Sequence, residues 1–151
     1  MKHWKKIVFG ELSWKQLFKS IGTIYVILLL FAVFLGDYLL FVPPTPTYTA
    51  SSANITLIDS AEPEEKIAAF HLPAKEGIPT LLWSHGNAED LSNTFILEQF
   101  HQAGFGVLGY DYPGYGISDG KPSESACYQA IDKAYNYLTS TLDVPHDKII
   151  I

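Results

Sequence analysis

From residue 21 to residue 42 the chain reads IGTIYVILLLFAVFLGDYLLFV, and Asp37 is the only charged residue in that run. A hydrocarbon core of ~30 Å needs ~20 apolar residues in helix, and residues 21–40 supply that length. A segment this apolar either crosses a bilayer or is buried inside protein. A cleavable signal peptide is the competing reading, but its apolar region is usually shorter and ends at a small-x-small cleavage site. Here Asp37, Tyr38 and the pair Pro43-Pro44 follow instead, and the nearest small-residue cluster is downstream at 50–53. The run therefore reads as an uncleaved anchor, with a signal peptide and a buried core helix as the alternatives.

Charge divides the chain at the same place. Of its ten lysines, five (Lys2, Lys5, Lys6, Lys15, Lys19) precede the apolar run, against the single acid Glu11. Only two of its sixteen acids, Glu11 and Asp37, lie in residues 1–42, so the remainder has five lysines against fourteen acids, a net of −9. By the positive-inside rule the basic head, residues 1–20, is cytoplasmic and the acidic body lies across the membrane. Trp4, Trp14, Tyr38 and Phe41 suit the two interfaces, although ordinary packing explains them equally well. A body this acidic, in a chain without arginine, argues against nucleic acid as partner, because phosphate neutralisation needs clustered Lys or Arg. Cys127 is the sole cysteine, which excludes an intrachain disulfide and any Cys-built metal site. It reads as a buried structural thiol on a helix.

Beyond the anchor, residues 43–52 form a Pro/Thr-rich linker that cannot continue a helix. Residues 54–58 alternate in polarity and suit an exposed strand. Lys66–Leu72 suits a second strand, and Thr80–Ser84 and Gly106–Tyr110 suit short buried ones. A helix is predicted over 90–103, with Leu91, Phe95, Leu97 and Phe100 at helical spacing and Gly104 as its stop. A second is predicted over 123–142, with Ser123 as N-cap and Ala126, Ala130, Ala134 and Leu138 on one face. A last strand opens at 148–151. Buried strands alternating with helices indicate a mostly parallel sheet covered on both faces, with the two earlier, more alternating strands as an antiparallel edge. The expected α/β domain spans 53–151.

The residues with chemical potential gather after the two buried strands. The first ends in Ser84-His85-Gly86-Asn87-Ala88-Glu89-Asp90, and Gly at a strand-to-helix turn permits a tight bend with N–H groups aimed at an anion. The second ends in DYPGYGISDGKPSE, residues 111–124. A His-Gly turn after one strand and Asp-x-x-Gly-x-Gly-x-Ser after the next resembles the α/β-hydrolase superfamily. His85-Gly86-Asn87-Ala88, the 111–124 stretch and the DYLLFVPP exit from the anchor are similar to a membrane-anchored branch with esterase-like and acyl-protein thioesterase-like enzymes. The resemblance covers nearly the whole chain and implies the N-terminal half of an α/β-hydrolase fold behind one transmembrane helix.

In that superfamily a Gly-x-Ser-x-Gly elbow follows the next strand, and the acid and histidine come later still. The resemblance thus implies that nucleophile, acid and base lie beyond Ile151. It also implies that the 85–90 loop donates a backbone N–H to an oxyanion hole, at Asn87 or, in the alternative register, at Ala88. His85, Gly86, Asp111, Gly114, Gly116 and Ser118 become supporting loop residues. Gly116-Ile117-Ser118-Asp119-Gly120 matches Gly-x-Ser-x-Gly letter for letter, but an elbow runs directly from strand into helix. Ser118 instead stands seven positions after Asp111, beyond a Pro-Gly turn. His85 reads as a brace of its turn rather than a base, since neighbouring Ser84 points to the opposite strand face. His71, His101 and His146 are scattered and read as surface or packing residues.

The expected parent is a serine hydrolase acting on ester, thioester or amide bonds, with no metal and no organic cofactor. The chain by itself is expected to be inactive, a fragment or gene remnant whose last strand, residues 148–151, has an unpaired, aggregation-prone edge. The alternatives are a non-catalytic membrane-tethered binding module and a small hydrolase that uses Ser118. Oligomeric state is left open.

Overall fold

The computed structural model describes residues 13–151; the lysines at 2, 5 and 6, Trp4 and Glu11 lie outside the described residues. Two compact units result, Met1–Leu40 and Phe41–Ile151.

In the first, helix α1 covers Trp14–Leu40, 27 residues with none buried. It starts earlier than the apolar run because Ser13-Trp14-Lys15-Gln16 is a capping box. The Gln16 N–H donates to Ser13 Oγ and the Ser13 N–H donates to Gln16 Oε1, both at 3.3 Å. This satisfies two donors that a helix start leaves without partners. Lys15 and Lys19, assigned to the basic head, are therefore helical. The helix stops before Pro43-Pro44, where each proline lacks an N–H and disfavours helical backbone in its predecessor. At about 1.5 Å per residue, α1 is long and apolar enough to cross a membrane.

The second unit is built on a five-stranded sheet in the order β1-β2-β4-β3-β5. The strands are β1 (Ile55–Asp59), β2 (Lys66–Leu72), β3 (Thr80–Ser84), β4 (Gly106–Tyr110) and β5 (Ile149–Ile150), with helices α2 (Phe95–Gln102) and α3 (Glu124–Asn136). β3 runs parallel to β4 and to β5, whereas β2 is antiparallel to both β1 and β4. The sheet is thus mixed, its parallel part confined to β4, β3 and β5.

β1 and β2 form the antiparallel end of the sheet, as expected, and within it β2 is covered on both faces. Ile67, Ala68, Ala69 and Phe70 are all buried, because successive side chains face two different covered surfaces. Ile67 and Ala69 join Leu82, Leu108 and Tyr110 beneath Ala130, Ala134 and Leu138. Ala68 and Phe70 join Val107 with Leu91 and Leu97 on the other face. Removing a leucine such as Leu97 or Leu138 from water contributes about 1.5–3 kcal/mol. Each helix is fastened chiefly through such residues.

Of the two body helices α2 is shorter than its predicted span, whereas α3 and the turn that continues it together fill theirs. α2 begins at Phe95, not 90, because side chains in 90–93 bond to nearby backbone and hold turns. The Ser92 N–H donates to Asp90 Oδ1 at 2.8 Å, and the Phe95 N–H donates to Asn93 Oδ1 at 3.3 Å. Such local bonds compete with helix. α3 opens at its expected cap, where Ser123 Oγ accepts the Ala126 N–H at 3.1 Å. It widens into a π-type turn over Tyr137–Thr141. Cys127 is partly exposed rather than buried. It stands in the first turn of α3, whereas Ala130, Ala134 and Leu138 further along take the covered stripe.

Candidate functional site

The carboxyl ends of β3 and β4 lie side by side, with Ser84 paired to Tyr110, and both motif loops leave from that edge. Ser84 shares a 2.7 Å hydrogen bond with the Tyr110 hydroxyl. His85 then enters a nearly closed pocket and is 7% exposed. Its ring lies 4.5 Å from that of Tyr112 and 5.5 Å from that of Tyr115, and its carbonyl accepts the Tyr112 hydroxyl at 3.0 Å.

Asp111 is the hub. It is fully buried, and a buried carboxylate must be surrounded by donors or charge. Its Oδ1 accepts the Leu91 N–H at 2.9 Å, and its Oδ2 accepts the Tyr48 hydroxyl. His85 Nε2 stands 3.3 Å from Oδ1, off the line of a good hydrogen bond, so the contact is electrostatic in character. His85 Nδ1 is 2.9 Å from the Gly86 carbonyl. Burial depresses the imidazole pKa, but the Asp111 carboxylate and the Gly86 carbonyl together outweigh it, and the net shift is upward. Burial, reinforced by the bond to Asp111, holds the Tyr48 phenol far above its ordinary value. Tyr48 therefore serves as a hydrogen-bond donor.

The 85–90 loop closes on itself. The Gly86 N–H donates to Glu89 Oε2 at 3.0 Å, and the Glu89 N–H donates to the Gly86 carbonyl at 3.2 Å. Asn87 Oδ1 accepts three donors: the Val42 N–H at 3.1 Å, the Tyr115 hydroxyl at 2.7 Å and the Ala88 N–H at 3.0 Å. Ala88 has φ 62°, a left-handed backbone that costs a residue with Cβ about 1–2 kcal/mol. A cavity of about 380 Å³ opens beside this loop, lined by Pro44, Trp83, His85, Ala88, Asp90 and Leu97 among others.

The second loop needs its glycines for shape. Gly114 and Gly116 have φ 79° and 54°, and a Cβ on Gly116 would overlap Asp111 Oδ2 and the Tyr48 hydroxyl. Ser118 Oγ accepts the Ala68 N–H at 2.9 Å and donates to the Asp111 carbonyl at 3.3 Å. Its hydroxyl thus clips the loop to β2. Ser118 sits among turns between β4 and α3, with neither element adjoining it.

The structure brings together His85, Gly86, Asn87, Ala88, Asp111, Gly116 and Ser118 through these contacts. Sequence reasoning missed Tyr48 and Tyr115. Tyr115 lies inside the quoted motif, so its position was available; Tyr48 carries no local signal, being one tyrosine in a connector. His71 and His101 lie near each other, and burial followed by that neighbour lowers the His71 pKa. His146 is exposed and bonds Tyr135 at 2.7 Å. Among the described residues no group of three or more His, Cys, Asp or Glu is placed to hold a metal.

A mixed sheet in this strand order, with motif loops at the carboxyl edge of its parallel strands, is an α/β architecture whose sites form at that edge. No protein-family profile matches the chain. It is 34% identical over 138 residues to the α/β-hydrolase domain-containing protein aho-3 of Caenorhabditis elegans, covering 75% of this chain and 42% of that one. It is 42% identical over 74 residues to α/β-hydrolase domain-containing protein 17C of Homo sapiens, covering 48% of this chain and 22% of that one. The chain thus spans less than half the length of these curated relatives. Among solved structures, an α/β hydrolase from Vibrio vulnificus superposes with TM-score 0.51 at 22% identity, covering 68% of this chain and 36% of that one. An esterase from Pyrococcus furiosus gives TM-score 0.52 at 17% identity, covering 68% and 44%. The chain belongs to the α/β-hydrolase superfamily and carries the N-terminal part of its fold.

Proposed function

We propose that this chain is the N-terminal part of a membrane-anchored serine hydrolase that cleaves ester, thioester or amide bonds, its nucleophile lying beyond Ile151. One observation carries the reading. β5 lies parallel against β3, with Ile150 opposite Leu81, and Ser84 stands three positions beyond Leu81 on the same strand. Residues a few positions past Ile150 would therefore emerge at the edge where the 85–90 loop turns. That is where a nucleophile elbow meets its oxyanion donor.

The chemistry is acyl transfer in two steps. A serine hydroxyl, deprotonated by a histidine, adds to the substrate carbonyl, and negative charge gathers on the carbonyl oxygen. Collapse expels the alcohol, thiol or amine with the returned proton. Water then repeats the sequence on the acyl-enzyme and releases the acid. The contribution of the present residues is the oxyanion donor, at Asn87 or, once its N–H is released from Asn87 Oδ1, at Ala88, and one such donor is worth about 3 kcal/mol in the transition state. Helix α1 would hold the enzyme in the membrane with the lysine-rich N-terminus cytoplasmic and the hydrolase body on the other side. Small acyl substrates are the implied ligands, with no organic cofactor.

The test is fluorophosphonate labelling of the native protein in its own membranes, followed by mapping of the modified residue. Label on a serine within a Gly-x-Ser-x-Gly elbow after residue 151, retained in Ser118→Ala, is the expected result. Loss of label in Ser118→Ala, or no label on a folded protein, would overturn it.

A further inference from the structure

The connector between helix and body is tied to the candidate site at three points. The Val42 N–H reaches Asn87 Oδ1 at 3.1 Å, the Thr47 N–H reaches Ser92 Oγ at 2.9 Å, and the Tyr48 hydroxyl reaches Asp111 Oδ2. Tyr48 is also an acceptor, taking the Ile117 N–H at 3.2 Å. From the other side Tyr115, itself 1% exposed, donates to Asn87 Oδ1 at 2.7 Å and accepts the Val42 N–H at 3.2 Å. Val42, Asn87 and Tyr115 thus form a closed triangle of hydrogen bonds. It joins the connector, the first motif loop and the second.

This triangle sits next to Ala88 in its left-handed conformation. Strained backbone persists only where its surroundings over-determine it. Here the side chain of Asn87, held by Tyr115 and Val42, in turn accepts the Ala88 N–H, which links the external bonds to the peptide between residues 87 and 88. The Tyr115 ring is itself wedged against His85 and Tyr112, at 5.5 and 5.7 Å. Its hydroxyl position is therefore set by packing rather than by solvent.

We infer that Tyr115, acting with the Val42 backbone, is a positioning residue that fixes the Asn87 side chain and, through it, the backbone of the 85–90 loop from which the oxyanion donor projects. The connector is by this inference a working part of the site, and the proposal rests on the oxyanion role assigned above. Tyr115 touches no reacting atom. It acts through Asn87, and its effect falls on transition-state stabilisation rather than substrate binding.

Tyr115→Phe removes one hydroxyl and keeps the wedged ring. In the full-length protein in detergent micelles, two quantities are to be compared with wild type: hydrogen exchange of the 85–90 amides, and hydrolysis of p-nitrophenyl butyrate. The inference expects exchange in 85–90 to rise by about tenfold and kcat to fall about fivefold to tenfold, the cost of one hydrogen bond. KM and thermal midpoint are expected to stay close to wild type. Tyr135→Phe, on the distant exposed pair with His146, should change neither quantity. Exchange unchanged in Tyr115→Phe, or a kcat loss that merely tracks a lowered midpoint, overturns the inference. Fluorophosphonate labelling of the wild type separates the two readings. If it fails while Tyr115→Phe still accelerates exchange, the hydrolase assignment falls and the holding of the loop stands.

Discussion

Asp111 shows how much of this fold is settled by single polar atoms. A carboxylate with no solvent contact is tolerated because the Leu91 N–H, the Tyr48 hydroxyl and the His85 imidazole supply donors and charge around it. Each comes from a different segment of the chain. The upward shift of the His85 pKa makes this hub pH-sensitive. A base whose pKa is raised on folding adds stability that is fully present below its unfolded value, about 6.5, and lost as pH rises through the folded value. His71 has the opposite sign, since its lowered pKa removes stability as pH falls. Comparing His85→Gln with wild type cancels the His71 contribution. Urea midpoints of the two proteins should differ most at pH 5–6 and converge as pH rises past the His85 titration. A gap that widens with pH would show that the Asp111 contact does not favour the imidazolium.

At the scale of elements, ends are decided by side-chain bonds and middles by burial. Ser13-Trp14-Lys15-Gln16 starts α1 ahead of its apolar stretch, and Asp90 and Asn93 delay α2 by bonding local backbone. Ser123 starts α3 where the pattern expects it, since its hydroxyl accepts the Ala126 N–H. Ser123→Ala should lower the stability of the body by about 1 kcal/mol, read as a shift in denaturation midpoint at constant slope. No shift would mean that α3 is held by Ala130, Ala134 and Leu138 alone. Three strands, Lys66–Leu72, Thr80–Ser84 and Gly106–Tyr110, have the bounds their sequences indicate. Their apolar runs are short and fenced by Pro, Gly or Ser. The full order of the strands was not legible in the same way: strand periodicity reports which residues face one side, not which neighbours the strand has.

At the scale of the molecule, the outermost strand that residues up to 151 supply beside β3 is β5, two residues long. Ile150 and Ile151 are 44% and 77% exposed, and an unpaired apolar strand edge recruits other chains. Residues 41–151 expressed alone should therefore self-associate, and Ile150→Lys should shift the sedimentation profile toward monomer. An unmodified body that sediments as a monodisperse monomer would show that this edge is not adhesive.

The sequence by itself determined what depends on neighbours along the chain. It carried the long apolar helical segment, three strands, the α3 cap and the superfamily likeness, all set by periodicity, capping chemistry and turn glycines. Its motif residues included most of the loop around His85 and Asp111. Only the tertiary structure decided which donors meet Asp111, that Ser118 clips its loop to β2, and that Tyr48 and Val42 reach across from the connector. The physical reason is separation: the Tyr48–Asp111 and Val42–Tyr115 bonds join residues 63 and 73 positions apart. No local pattern encodes such pairings, because they exist only once the sheet brings its loops to one edge.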